Sequence, residues 1–412
     1  MRRLAGLAAL ALAVAAPVAS EPPEWRPVDA ATGQLREVEA LEALAQAFPD
    51  SGSVRLRLLE PLIAAGEGAR VLEVLHWLEE RGYVFSPPAR EQIPRLVGEK
   101  HADAAKALLL PDADPITASE VVARVPAQAG LVESVFASPD LSTVIATSVT
   151  RKALWVREDG NWRKVSFPGA KDLSGIAQDT KRNIRWVASS DIDESGGDGD
   201  LFNGVIGSSP LIAAPLHIAV PAGVTLSDIA VDEAGTVFAS DPLGGGIYRA
   251  AIGESAFSPL VEPGTFRSPQ GLAPSADGAR LFVSDYRYGL AMSHLASGEV
   301  SRLASDVPAI LDGIDGLWLH GAELIAVQNG TSPMRISALA LSADGSRITG
   351  VRVLEQAHPK WTEPLGGSIA DGALVYVGTG HWRDYVAGEL VEGRETKPTE
   401  IRRLPLGSAR GR

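Results

Sequence analysis

Six short words along the chain set a residue of varied chemistry before a β-forming stretch. They are Glu133 in VESVF, Ser174 in SGIAQD, Ser227 in SDIAVD, Gln270 in QGLAPS, Asp315 in DGLWLH and Gly367 in GSIADGA. If these stretches are equivalent strands converging on one axis, the six residues form a ring. Two carboxylates among neutral polar groups repel each other unless a cation, a proton or a basic partner intervenes. The ring therefore reads as a candidate metal or ligand site. The bland alternative has Asp315 bonded to backbone amides and Glu133 meeting water in an open channel.

A second set lies at the ends of the strands that follow: Ser190, Asp241, Asp285, Asn329 and Thr379, with His381 shortly after. Such residues commonly close a strand end through local backbone bonds, which is the preferred reading of Asp241 and Asp285. Gln328-Asn329 and His381-Trp382 are less ordinary pairs. With Gln270, the residues Gln328, Asn329 and His381 are the candidate ligand contacts, although a packed, hydrogen-bonded His is commoner than a ligand-binding one. The loop DIDESGGDGD, Asp191 to Asp200, opens like a calcium loop. Phe202 stands where an EF-hand needs a bidentate Glu, which leaves a solvated acidic insertion or a weak surface cation site. There is no phosphate-cradling glycine loop, no HExxH pair and no G-x-S-x-G elbow.

Repeated β-units must position the ring. In SPQGLAPSADGARLFVSDYRYGLAMSHL, Ser268 to Leu295, three short strands are separated by a turn at Ala276-Asp277-Gly278 and a polar bend. Second strands like ARLFVSD recur at 143–148, 185–191, 236–241, 324–329 and 374–379. Taking Ala146, Ala188, Ala239, Val283, Val327 and Val377 as equivalent, the spacings are 42, 51, 44, 44 and 50 residues. That period, with Asp-Gly turns, predicts a mainly β fold: a six-bladed β-propeller spanning 119–406. Little chain follows the last third strand, Glu400 to Leu406. The outer strand of blade six is therefore assigned to SEVVARV, Ser119 to Val125, which hides two edges in one blade.

Before the propeller, residues 33–110 carry a helical period, with Leu35, Val38, Leu41, Leu44 and Phe48 on one face. Two further helices join at Gly66-Glu67-Gly68. This small α-helical segment resembles a tetratricopeptide-type hairpin, or else is a cap packed on the propeller. Residues 21–32 and 111–118 read as linkers and 407–412 as a tail. Residues 1–20 read as a signal peptide: Arg2 and Arg3, the apolar run LAGLAALALAVAA, then Val18-Ala19-Ser20 for cleavage. No later segment is apolar enough to span a membrane. The net charge of −13 argues against nucleic-acid or anionic-membrane partners. Cysteine is absent, which excludes disulfides and thiolate chemistry. The composition and the leader suggest a bacterial periplasmic or secreted protein.

From about Leu131 to Leu406 the strand–turn–strand words resemble the six-bladed propellers of the gluconolactonase, regucalcin and luciferin-regenerating enzyme family, and more loosely the NHL-repeat proteins. The resemblance implies one divalent cation in the channel, usually calcium. Its ligands would be Glu133 and Asp315, which match the family pattern, with Ser227 and Gln270 where the family has Asn. Asp315 would be the catalytic residue of a lactone or ester hydrolase. The words DGIDGLWLHGAELIAVQNGTSPMRI and PKWTEPLGGSIADGALVYVGTGHW look like a group of exported bacterial propellers described as gluconolactonase-like. The functional expectation is an exported propeller binding a small ligand in its channel, with calcium-dependent hydrolysis as its enzymatic form. The alternative is a non-enzymatic scaffold in which the helices and one propeller face dock another exported protein.

Overall fold

The computed structural model describes residues 22–192 and 201–407. The signal peptide read at 1–20 lies outside the described residues, as do 193–200 of the acidic loop. Six blades follow one another around an axis, each built on antiparallel strands running from the channel outward; blade five also carries Ala304–Ser305, paired parallel with Arg347–Gln356 at its outer edge. In blade one the strands are Val132–Ala137, Thr143–Ser148, Ala153–Glu158 and Asn161–Ser166. Thr143–Ser148 is almost wholly buried because neighbouring blades cover both of its faces, whereas polar Asn161–Ser166 sits at the rim. Blade four is the three-stranded unit read from sequence, Pro269–Pro274, Arg280–Asp285 and Gly289–His294, completed by Val300–Arg302. Its first turn closes as Asp277 accepts the Ala279 amide at 3.0 Å, and Gly278 takes a φ of 67°.

Blade six joins the two ends of the propeller. Glu120–Val125 pairs antiparallel with Thr399–Pro405, Glu120 facing Arg403 and Val125 facing Thr399. A buried polar seam fixes the junction with blade five. Glu355, fully buried, accepts Ser119 Oγ at 2.8 Å and Tyr376 OH at 2.7 Å. Arg402 Nε donates to the same Ser119 hydroxyl at 2.9 Å.

The helical segment has five helices: α1 (Val38–Ala47), α2 (Gly52–Ala64), α3 (Gly68–Glu79), α4 (Pro87–Leu96) and α5 (Glu99–Leu108). It caps the propeller. Its apolar face, including Leu41, Leu44, Phe48 and Leu75, shares one core with Phe266, Leu272 and Tyr288 of the propeller. The joint is also polar. Asp312 of the propeller receives Ser51 Oγ at 2.8 Å and the amides of Gly52 and Ser53 at 2.9 and 2.7 Å, so it caps α2 from another element. Gly52 suits the close approach there, because a Cβ would come within 3.1 Å of the Ile310 side chain, which would have to give way.

The two stretches expected to be linkers are bonded to sheet edges. Trp25 is buried, its amide donating to Val300 O and its indole to Thr265 O, while Arg302 N donates to Pro23 O. Ile116 bridges Gln356 on the outer strand of blade five. Both cover edges that would otherwise be free to pair with another chain.

Candidate functional site

The innermost strands aim the ring through a repeated irregularity. Their pairing slips between Val132 and Val135 in blade one, between Leu173 and Ile176 in blade two and between Pro269 and Leu272 in blade four. Glu133, Ser174 and Gln270 sit in those bulges, which turn a side chain off the pleat. Blades are joined at the same level, with Gly175 N donating to Ser227 O at 3.0 Å and Gly366 N to Glu133 O at 3.2 Å. These bonds make Leu365, not the expected Gly367, the blade-six member of the ring. The ring is therefore Glu133, Ser174, Ser227, Gln270, Asp315 and Leu365.

The position after each ring residue is held to small groups. It is Ser134, Gly175, Gly271, Gly316 and Gly366 in five blades. A Cβ on Gly175 would lie 2.8 Å from Ser227 O, and one on Gly271 would lie 2.5 Å from Leu317 N. Blade three alone breaks the rule, with Asp228.

Glu133, Ser227, Gln270 and Asp315 come together with Asp228 around a waist cavity of about 20 Å³, the size of one water or ion. Outside it opens a mouth of about 300 Å³ bounded by Tyr286, Arg287, Asn329, Glu363 and Trp382. Four carboxylates thus converge: Glu133, Asp228, Asp315 and Glu363. Burial pushes Glu133 well above the usual carboxylate range, the charge of Asp315 adds to this, and the Trp382 indole bond opposes it. Asp315 is pushed up to about 7 by burial, then by Glu363 and Asp228, against a hydrogen bond from Asn329. Asp228 also rises to about 7, through burial. Burial raises Glu363 too, partly offset by Arg383.

The donor set suits one hard cation: two facing carboxylates, a hydroxyl and an amide oxygen. Among the described residues no three His, Asp or Glu side chains are grouped as a finished cage. An ion at the waist would therefore need the neutral oxygens of Ser227 and Gln270, which now bond each other at 2.9 Å.

The remaining candidates divide. Asn329 lines the mouth, accepting Tyr286 OH at 2.9 Å and donating to Pro364 O at 3.1 Å. Gln328 does not: it is buried, and its Nε2 donates to Ile310 O and Asp312 O at 2.8 and 2.7 Å. His381 is also turned away, buried with Nδ1 3.7 Å from Asp384, and its neighbour Trp382 lines the mouth instead. Asp241 and Asp285 accept local backbone amides, as turn chemistry requires. Asp191, at the start of the acidic loop, pairs with Lys171. Asp228 and Glu363 were absent from the sequence-derived site. The first is marked by its departure from Gly or Ser after the ring. The second has no mark in the repeat.

No family model matches the chain, and no curated protein matches it. Among solved structures it is similar to a gluconolactonase from Xanthomonas campestris, at 15% identity over 72% of this chain and 99% of that one, TM-score 0.45. A calcium-binding regucalcin from Agrobacterium tumefaciens aligns at 14% identity over 69% and 95%, TM-score 0.45. A virginiamycin B lyase from Staphylococcus aureus aligns at 11% identity over 66% and 80%, TM-score 0.44. With scores below 0.5 these likenesses carry nothing further. The chain's own strand pairing defines a six-bladed propeller with an acidic channel.

Proposed function

We propose that the chain binds one divalent cation, calcium first among the candidates, at the channel waist and a small oxygen-rich ligand in the mouth beside it. We further propose that it hydrolyses a lactone or related ester there. The observation behind this reading is the convergence of three carboxylates, Glu133, Asp228 and Asp315, on an ion-sized cavity that no Lys, Arg or His lines among the described residues, with Glu363 in the mouth outside it. Glu133 and Asp315 would hold the ion, completed by the oxygens of Ser227 and Gln270. When bound, the ion supplies polarisation of a carbonyl oxygen. Asp315 would orient the attacking water and take its proton. Tyr286, pushed up to about 12 chiefly by burial, stays protonated. Arg287 at the rim meets the carboxylate that ring opening releases. Export through the leader at 1–20 belongs to this reading.

The test pairs calcium titration by thermal unfolding with hydrolysis of an aldonolactone, on the natural chain and on Asp315→Asn. Calcium should raise the melting temperature of the natural chain only, and hydrolysis should need both calcium and Asp315. Equal calcium shifts in the two proteins would remove the ion site. A shift without hydrolysis would leave a binding propeller.

A groove of about 370 Å³ on the helical segment favours a second reading as a docking scaffold. Arg55 and Trp77 line it, and the Arg55 guanidinium lies over the Trp77 ring at 5.2 Å. Under that reading an exported partner binds even when channel residues are substituted.

A further inference from the structure

The channel has a second mouth at its opposite end, and its chemistry differs. A cavity of about 310 Å³ lies there, within the range of small-molecule sites. Its walls include Phe136 from blade one, Ile176 from blade two, Leu272 from blade four and Trp318 from blade five. Of the four channel carboxylates only Asp228 lines this cavity, and it lines the waist as well. No Lys, Arg or His lines it among the described residues. Asp228 accepts the amides of Ile229, at 2.9 Å, and Leu272. Gln178, on the same wall, has a buried Oε1 with no hydrogen-bond partner.

We propose that this mouth is a separate binding site for a small amphipathic cation, a protonated amine carried on an apolar body. A carboxylate at the inner end of a cavity with mixed apolar and polar walls and no Lys, Arg or His in its described lining lacks a counter-charge when the waist holds no ion, and an ammonium supplies one through a charge-assisted hydrogen bond. The aromatic walls accommodate both the apolar body and, through their π faces, the cation. An anion meets the Asp228 charge unscreened, and a neutral isostere leaves that charge unpaired. The placement also explains blade three's departure from the small-residue rule. A side chain is admitted where the other blades exclude one or keep only a serine, and it is an acid. Glu133 and Asp315 do not line this cavity, but Asp228 borders both, so a cation at the waist competes with the ammonium for its charge.

The test is calorimetric titration of the natural chain at pH 8 with a metal chelator present, using 3-phenylpropylammonium, 3-phenylpropan-1-ol and 3-phenylpropanoate. The ammonium should bind, the alcohol should bind at least about tenfold more weakly, and the propanoate should not bind. Asp228→Asn should reduce the ammonium to the level of the alcohol, and Asp315→Asn, which removes a charge that does not line this cavity, should change it much less. Trp318→Leu, which keeps the acid, should weaken ammonium and alcohol together. Three results would each overturn the proposal: no ammonium binding, equal binding of ammonium and alcohol, or an equal loss in Asp315→Asn. The comparison of the three probes on the natural chain decides the matter even if a variant does not fold.

Discussion

The acidic waist should write itself into the pH dependence of stability when no ion is bound. Asp315 titrates at about 7 in the folded chain against 3.8 for an unperturbed aspartate. Between those values the unfolded chain has lost the proton that the folded chain keeps, so each step up in pH favours unfolding. The stabilising effect of protonation is complete below about pH 4, fades up to about 7 and is then gone. From pH 5 to 7.5 an isolated group of this kind loses at most about 2.7 kcal/mol. Asp315 borders a cavity that water reaches, which reduces the figure to about 1–2 kcal/mol. For a chain of this size that is about 1–4 °C in melting temperature.

Other groups titrate in the same window. Burial lowers His358 and His381, so their effect runs the opposite way, with stability gained as pH rises to about 6.5. The useful quantity is therefore the gap between the natural chain and Asp315→Asn, in which those histidines cancel. In chelator, the melting temperature of the variant relative to the natural chain should rise by about 1–4 °C from pH 5 to 7.5. Saturating calcium, which requires the ionised carboxylates, should flatten or reverse that trend and release protons on binding. A gap that is the same at both pH values without metal would refute the account of the waist.

Two further outcomes concern the frame around the channel. Asp312→Ala strips the acceptor from Ser51, Gly52 and Ser53 at a buried joint; it should cost about 2–4 kcal/mol in thermal unfolding and open the helical segment to limited proteolysis. A chain starting at Leu131 lacks the strand that pairs with Thr399–Pro405 and should aggregate in sedimentation, whereas one starting at Asp114 keeps closure but bares Phe266 and Tyr288 and should be monomeric yet less soluble.

The blades were legible in the sequence because each second strand is a short, largely apolar run of β-forming residues closed by turn residues, a local pattern that tertiary context had no reason to override. Glu133, Ser227, Gln270 and Asp315 were legible for the same reason, since they occupy one position of the repeat. The frame failed where the repeat does. Blade six opens with Leu365-Gly366-Gly367, and glycine at two successive positions hides the register, so the ring residue was misplaced by two. Glu363 lies before the first strand of that blade and enters the mouth only through the fold. Trp25 and Ile116 stand in stretches of polar or Pro-rich composition. The burial of Trp25 and the bridge from Ile116 to Gln356 depend on sheet edges elsewhere in the chain, which no local pattern reveals.

Gln328 shows how the helices and the channel belong to one device. As a strand-end amide beside Asn329 it looked like a ligand contact, yet both of its donated bonds go to the carbonyls of Ile310 and Asp312. Those residues begin the stretch that ends at Asp315. Asp312 takes the N-terminus of α2 on its side chain, Gly313 N donates to Tyr286 O, and Asp315 N donates to Val327 O. Six residues are thus held by the helical segment, by blade four and by blade five, with the channel acid at their end. A loop pinned from three sides has little freedom to move its last side chain, and a site that must hold an ion or orient a water needs that rigidity. The helices therefore contribute to the channel without reaching it. They fix one end of the strand entry that carries Asp315, and Gln328 fixes the middle.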